Sequence, residues 1–188
     1  MTITESQLYL KQTTRITRPE IELLLCCART QIDPSTQERI KELLQEKIDW
    51  KYLIQTSARH KVMPLLYRSL NTTCPELVPK SILSQLRNFF YTNAQRNLFV
   101  TAELIKLLTL FQEHEIPAIP FKGPLLSVSV YGNLALRQFT DLDILIDSKN
   151  LLKAKALLLS QEYSLTGELS WESNFISRNH QINVDLHW

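Results

Sequence analysis

Asp141 and Asp143, separated by one residue in Thr140-Asp141-Leu142-Asp143-Ile144-Leu145-Ile146, form the pair best suited to chemistry in this chain. Four of the six residues from Asp141 to Ile146 are aliphatic, which predicts a short buried strand carrying its carboxylates on one face. Side chains alternate along a strand, so the two acids share a face at roughly 7 Å while Leu142, Ile144 and Ile146 point the other way. Carboxylates on an apolar strand are unfavourable to bury without a cation. For closely spaced hard oxygens the expected cation is Mg²⁺, which shares its shell with substrate phosphates, and Mn²⁺ suits the same ligands.

A second constellation lies upstream. The apolar run ending in Phe121 gives way to Lys122-Gly123-Pro124, then to Leu125 through Gly132. Pro suits the start of a helix and Gly its end, so the pattern predicts strand, tight turn, short helix, stop. Such a turn sets Gly123 and helix N-terminal amides beside a ligand, with Lys122 adjacent, as an anion site would require. A lysine at a strand end is also an ordinary surface residue, and both readings stand.

Lys122-Gly123, Tyr131-Gly132, Arg137, Asp141-Leu142-Asp143 and the late Val184-Asp185-Leu186-His187-Trp188 resemble the uncharacterised nucleotidyltransferase-like family of the DNA polymerase beta superfamily. The resemblance covers Ile116 to Trp188 well and the preceding helices loosely. Superfamily members share a glycine turn, an acidic pair on a strand and a third carboxylate on a neighbouring strand. The resemblance therefore implies Asp141, Asp143 and Asp185 as catalytic metal ligands, with Lys122, Gly123, Ser127 and Arg137 as nucleotide or phosphate contacts. Pro124 stands where a serine is usual, and the interval from Gly123 to Asp141 exceeds that of minimal members.

The implied activity is Mg²⁺-dependent transfer of a nucleoside monophosphate from a nucleoside triphosphate such as ATP to a hydroxyl of a small molecule or protein. Two-metal chemistry places ions about 3.5–4 Å apart between bridging carboxylates. Asp141 and Asp143 would bridge two such ions and Asp185 would hold the one that activates the acceptor. His187 shares the face of Asp185 and could touch metal or nucleotide, although a structural histidine fits equally. Arg137 could meet a phosphate or pair with Asp141. His60, His114 and His180 show no ligand spacing. The alternative is a catalytically inactive member that binds a nucleotide or a protein partner.

The surrounding pattern must position these groups. Residues 1 to 18 alternate Thr, Gln, Lys and Arg and are expected to be a flexible lead-in. A helical region over 19–114 follows, with starts at Pro19 and Asp33-Pro34, apolar stripes through Ile40, Leu43, Leu53 and Leu66, and Pro79 opening the longest periodic stretch. Asn93, Gln95, Arg96 and Asn97 in that stretch could face an acceptor cleft, but such a cluster reads first as a solvated face. Residues 115–188 then read as the nucleotidyltransferase-like core. Ile116 to Phe121 contains two prolines and suits an edge strand, Asp147-Ser148 caps a helix, and Gln181 to His187 alternates as a strand. The fold class is α+β: an N-terminal helical bundle, then a polymerase-beta-like core with a small mixed sheet flanked by helices. The chain stops just after the proposed third carboxylate where relatives continue, so either a minimal member or a truncated piece is expected.

At 188 residues, with 44% hydrophobic and 21% charged residues, the chain can bury a real core. Its net charge of +2 provides no strong field for nucleic-acid binding. No run of about 18 apolar residues suggests a membrane span, and the N-terminus lacks a signal pattern, so a cytoplasmic protein is expected. Cys26, Cys27 and Cys74 fit no zinc or redox spacing.

Overall fold

The computed structural model describes residues 18–179 and 182–188. The expected lead-in, save Arg18, and His180 and Gln181 lie outside them. The chain divides into two compact units, Met1–Asn88 and Phe89–Trp188.

The described residues of the first unit include the helices α1 (Pro19–Cys27), α2 (Pro34–Leu44), α3 (Trp50–Arg59) and α4 (Met63–Thr73). Asp33 caps α2 by accepting the Thr36 N–H at 2.9 Å, and Asp49 caps α3 by accepting the Tyr52 N–H at 3.0 Å. Pro64 sits in the first turn of α4, where its missing N–H has no helical partner to lose. Leu23, Cys27, Ile40, Leu43, Leu53, Leu66 and Leu70 are fully buried. Their spacing by three or four within each helix makes those stripes.

Among the described residues of this unit, the acid Glu20 is buried. Glu20 accepts the Asp49 N–H at 2.8 Å and the Arg18 Nε at 3.1 Å. Burial pushes its carboxyl up, and the two bonds outweigh burial, holding it below the ordinary value. A depressed carboxylate stabilises the fold above the unfolded pKa and loses that contribution as pH falls through the folded one. Glu20→Ala leaves the Asp49 amide at the start of α3 unmet and should destabilise the unit by about 1–3 kcal/mol at pH 7. The difference from the parent should shrink on acidification, which thermal melts across pH would check.

A long helix, α5 (Lys80–Glu113), runs from the first unit into the second. Its later turns supply Val100, Leu104, Leu107 and Phe111 to the core of the second unit. That packing is why the units part inside the helix, at 88/89, whereas the pattern suggested a boundary after 114.

The second unit adds β1 (Ala118–Phe121), α6 (Gly123–Ser129), β2 (Asp141–Ile146), α7 (Leu151–Ser160), β3 (Tyr163–Glu168), β4 (Glu172–Ser177) and β5 (Asn183–His187). The mixed sheet has the order β1-β2-β5-β4-β3. Only β2 and β5 run parallel; the other neighbours are antiparallel. Pro120 sits in an edge strand, the place a residue without an N–H is tolerated. One sheet face, with Leu142, Ile144, Ile146, Phe175, Val184 and Leu186, packs with the α5 residues and with Ala154 and Leu158 of α7. The α+β class is as the sequence indicated. Alternation then dictates that Asp141, Asp143 and Asp185 project from the opposite face.

Candidate active site

Three strands and one turn assemble the acidic face. Asp143 lies opposite Asp185 in the parallel β2–β5 register, and opposite Phe121 across the β1–β2 pair. Parallel neighbours stand about 4.8 Å apart, so the two carboxylates face the same space. Asp141, two residues before Asp143, shares it. Asp143 is only 5% exposed, and its Oδ1 is contacted by Lys122 Nζ at 2.8 Å and by His187 Nε2 at 3.3 Å.

The turn that delivers Lys122 is conformationally demanding. Lys122 has φ 57° and ψ −141°, and Gly123 has φ 35°, so two consecutive residues occupy the left-handed half of backbone space. Gly123 does so without a Cβ clash, whereas a lysine there carries strain of about 1–3 kcal/mol. Such strain persists where surroundings over-determine it, and here the ammonium is held between Asp143 and the Phe121 ring, 5.0 Å from its centroid. The Asp143 bond raises the Lys122 pKa.

Asp185 differs in environment. Its Oδ1 accepts Asn174 Nδ2 at 2.8 Å, and the same amide donates to Glu172 Oε1 at 2.7 Å. Burial raises the Asp185 pKa; the Asn174 bond opposes this, and the charges of Glu172, Asp141 and Asp143 add to the rise. His187 lies between two acids, with Nδ1 3.4 Å from Glu172 Oε2 and Nε2 near Asp143, and its ring meets Phe121 edge-on at 5.0 Å. Glu172 and Asn174 therefore belong to the face, and the sequence reading missed them. Their strand mixes polar and apolar residues, and no spacing in it marks β4 as the neighbour of β5.

The remaining expected contacts divide. Arg137 Nη1 lies 3.4 Å from Gly123 O, so the guanidinium is beside the Lys-Gly turn. Ser127 does not join them: it is 0% exposed and its hydroxyl donates to Gly123 O at 3.0 Å, which leaves it bracing the turn from inside. Pro124, in the first turn of α6, removes one of the amides on which an anion cradle would draw. The residues of α5 that looked solvated also depart from expectation. Asn93 and Asn97 donate to the Arg137 carbonyl at 3.2 and 2.8 Å, and Arg96 donates to Phe139 O at 2.6 Å.

Whether the face suits Mg²⁺ rests on its donors. Among the described residues no three His, Cys, Asp or Glu side chains are gathered as a metal cluster. The set nonetheless offers hard carboxylate oxygens on adjacent strands, with a lysine ammonium already on Asp143 as a stand-in cation. Burial, with the charges of Glu172, Asp141 and Asp143 beside it, raises the Asp185 pKa, and a hard cation among these oxygens would oppose that rise. The residues fit the ion in chemistry, with Lys122 as the group that would make room.

Among the described residues no helix is long and apolar enough to cross a membrane. Residues 46–188 match the family described as Uncharacterised nucleotidyltransferase. No curated protein and no solved structure matches the chain.

Proposed function

The chain belongs to the uncharacterised nucleotidyltransferase family, and from that premise we propose that it transfers a nucleoside monophosphate from a nucleoside triphosphate to a hydroxyl acceptor. The observation that carries this reading is the register that sets Asp143 against Asp185, with Asp141 alongside and a Lys-Gly turn at the same strand end. In the transfer the acceptor oxygen bonds to the α-phosphorus, the bond from that phosphorus to the bridging oxygen breaks, and pyrophosphate leaves. Mg²⁺ held by Asp141, Asp143 and Asp185 would neutralise the triphosphate and lower the pKa of the attacking hydroxyl.

The chain's own groups do the rest. Lys122 and Arg137 carry positive charge to the triphosphate side, Lys122 exchanging its bond to Asp143 for one to phosphate. Asp185, on the acceptor side, takes up the hydroxyl proton. Asn174 orients the Asp185 carboxylate, and His187 fills the space between Asp143 and Glu172. Catalysis of this kind is positioning and charge neutralisation.

Asp185→Asn provides the test. Mg²⁺·ATP affinity should stay close to that of the parent, while pyrophosphate release is lost, because the missing interaction belongs mainly to the transition state. The folded carboxyl has a raised pKa, so it weakens stability at pH above the ordinary carboxylate range; the amide should leave the melting temperature unchanged or higher. Calorimetry beside pyrophosphate release would read both quantities. Equal release from parent and variant would remove Asp185 from the reaction.

A second reading, a nucleotide- or protein-binding module without transfer, is favoured by one arrangement: Asp143 is already engaged by Lys122 and His187. Under that reading the parent binds a triphosphate or partner and releases no pyrophosphate with any acceptor supplied from cell extract.

A further inference from the structure

Asn93, Arg96 and Asn97 stand at i, i+3 and i+4 on α5 and share one helix face. They meet the segment 133–139 that joins α6 to β2. Asn97 Nδ2 donates to Leu134 O at 2.6 Å and to Arg137 O at 2.8 Å. Asn93 Nδ2 donates to Ala135 O at 3.0 Å and to Arg137 O at 3.2 Å, and Arg96 Nη1 to Phe139 O at 2.6 Å. A connecting segment's carbonyls need partners, and here side chains of one helix supply them.

A second observation separates this from ordinary packing. Asn97 is 0% exposed, yet its Oδ1 is buried without a hydrogen-bond partner among the described residues. Asparagine is a poor helix former, and an orphaned acceptor is destabilising. The side chain is therefore held for its two donors, at the expense of the core around it. One bond from Asn97 and one from Asn93 meet at the Arg137 carbonyl, while the others hold Leu134 O and Ala135 O, and the Arg137 guanidinium reaches the Gly123 carbonyl at 3.4 Å. Arg96 grips Phe139, two residues before Asp141.

We propose that Asn93, Arg96 and Asn97 are positioning residues for the polyphosphate of a nucleoside triphosphate. They clamp 134–139 so that Arg137 projects to the Lys122–Gly123 turn. This rests on the nucleotidyltransferase reading.

The experiment measures Mg²⁺·ATP affinity by calorimetry and amide exchange by mass spectrometry for the full chain, Asn93→Ala, Arg96→Ala and Arg96→Lys, each also combined with Arg137→Ala. Asn93→Ala and Arg96→Ala should weaken binding on the order of tenfold, while Arg96→Lys, which still donates to Phe139 O, stays within about threefold. Exchange should accelerate in 134–141 while β3 and β4 keep the parent's protection. In the Arg137→Ala background the same alanine substitutions should change affinity by less than about twofold, because the group they position is gone. Equal losses in both backgrounds, or unchanged exchange in 134–141, would overturn the clamp. A parent with no measurable affinity for Mg²⁺·ATP would instead overturn the nucleotide reading, and this proposal with it.

Discussion

Asp143→Asn should abolish Mg²⁺-dependent pyrophosphate release, by on the order of a thousandfold or more, and leave the melting temperature within about 3 °C of the parent. Asp143 is where the face converges: it opposes Asp185 and Phe121, and one of its oxygens receives both Lys122 and His187. An amide keeps the volume and an acceptor for Lys122 but removes the charge that a cation needs. Lys122 has a side chain 55% exposed, so losing its partner leaves it free to turn to water, and little stability is at stake. The Asp143 bond raises the Lys122 pKa, so the pair is whole below the ordinary lysine range and is lost only as pH climbs through the raised value. Assays between about pH 6 and 9 therefore compare one charge state of the lysine. Retained release in the variant, or a collapsed melting temperature with intact nucleotide affinity, would make Asp143 a structural acid.

Gly123→Val should harm triphosphate binding more than Lys122→Ala does, and should also lower the melting temperature by about 4–8 °C. A Cβ at Gly123 would stand 3.5 Å from Asp141 O, an ordinary contact, so space is not the obstacle. The obstacle is φ 35°, which an L-residue enters at about 1–2 kcal/mol and a β-branched one with more difficulty. Relief requires the turn to move, and the backbone of Asp141 lies against it. Lys122→Ala removes one charge contact and the ammonium's hold on its own backbone, but leaves Gly123 able to keep its φ without a side chain. Calorimetry with Mg²⁺·ATP would rank the two variants, and equal, negligible effects would remove the turn from the binding site.

Much of this was readable from residue order because it depends on short-range periodicity. The alternation of β2 put Asp141 and Asp143 on one face, and the same rule put Asp185 and His187 on another before their strands were known to pair. The α+β class followed from apolar stripes and capping residues such as Asp33 and Asp147. What stayed hidden was contact without a period. Asn93 and Asn97 are polar residues on a long helix, and nothing local distinguishes them from a solvated face; their partners are backbone carbonyls about 40 residues away. Glu172 and Asn174 were invisible because strand order, not strand content, brings them to Asp185. Ser127 looked available beside the glycine turn, and only the direction of its helix face turned it inward. The unit boundary inside α5 was hidden for a similar reason: periodicity reports a helix but not which core each turn serves.

The placement of β5 has a consequence for how the molecule comes to exist. It is the last of the five strands in sequence and lies between β2 and β4, at the centre of the sheet. Until it inserts, the β1–β2 pair and the β4–β3 pair each present a bare inner edge, and nothing joins them. Pairing β2 with β5 closes a loop of about forty residues, a slow event compared with forming a hairpin. The acidic face therefore depends on a non-local pairing: Asp143 and Asp185 confront each other only in a chain whose last strand in sequence already unites the two halves of the sheet.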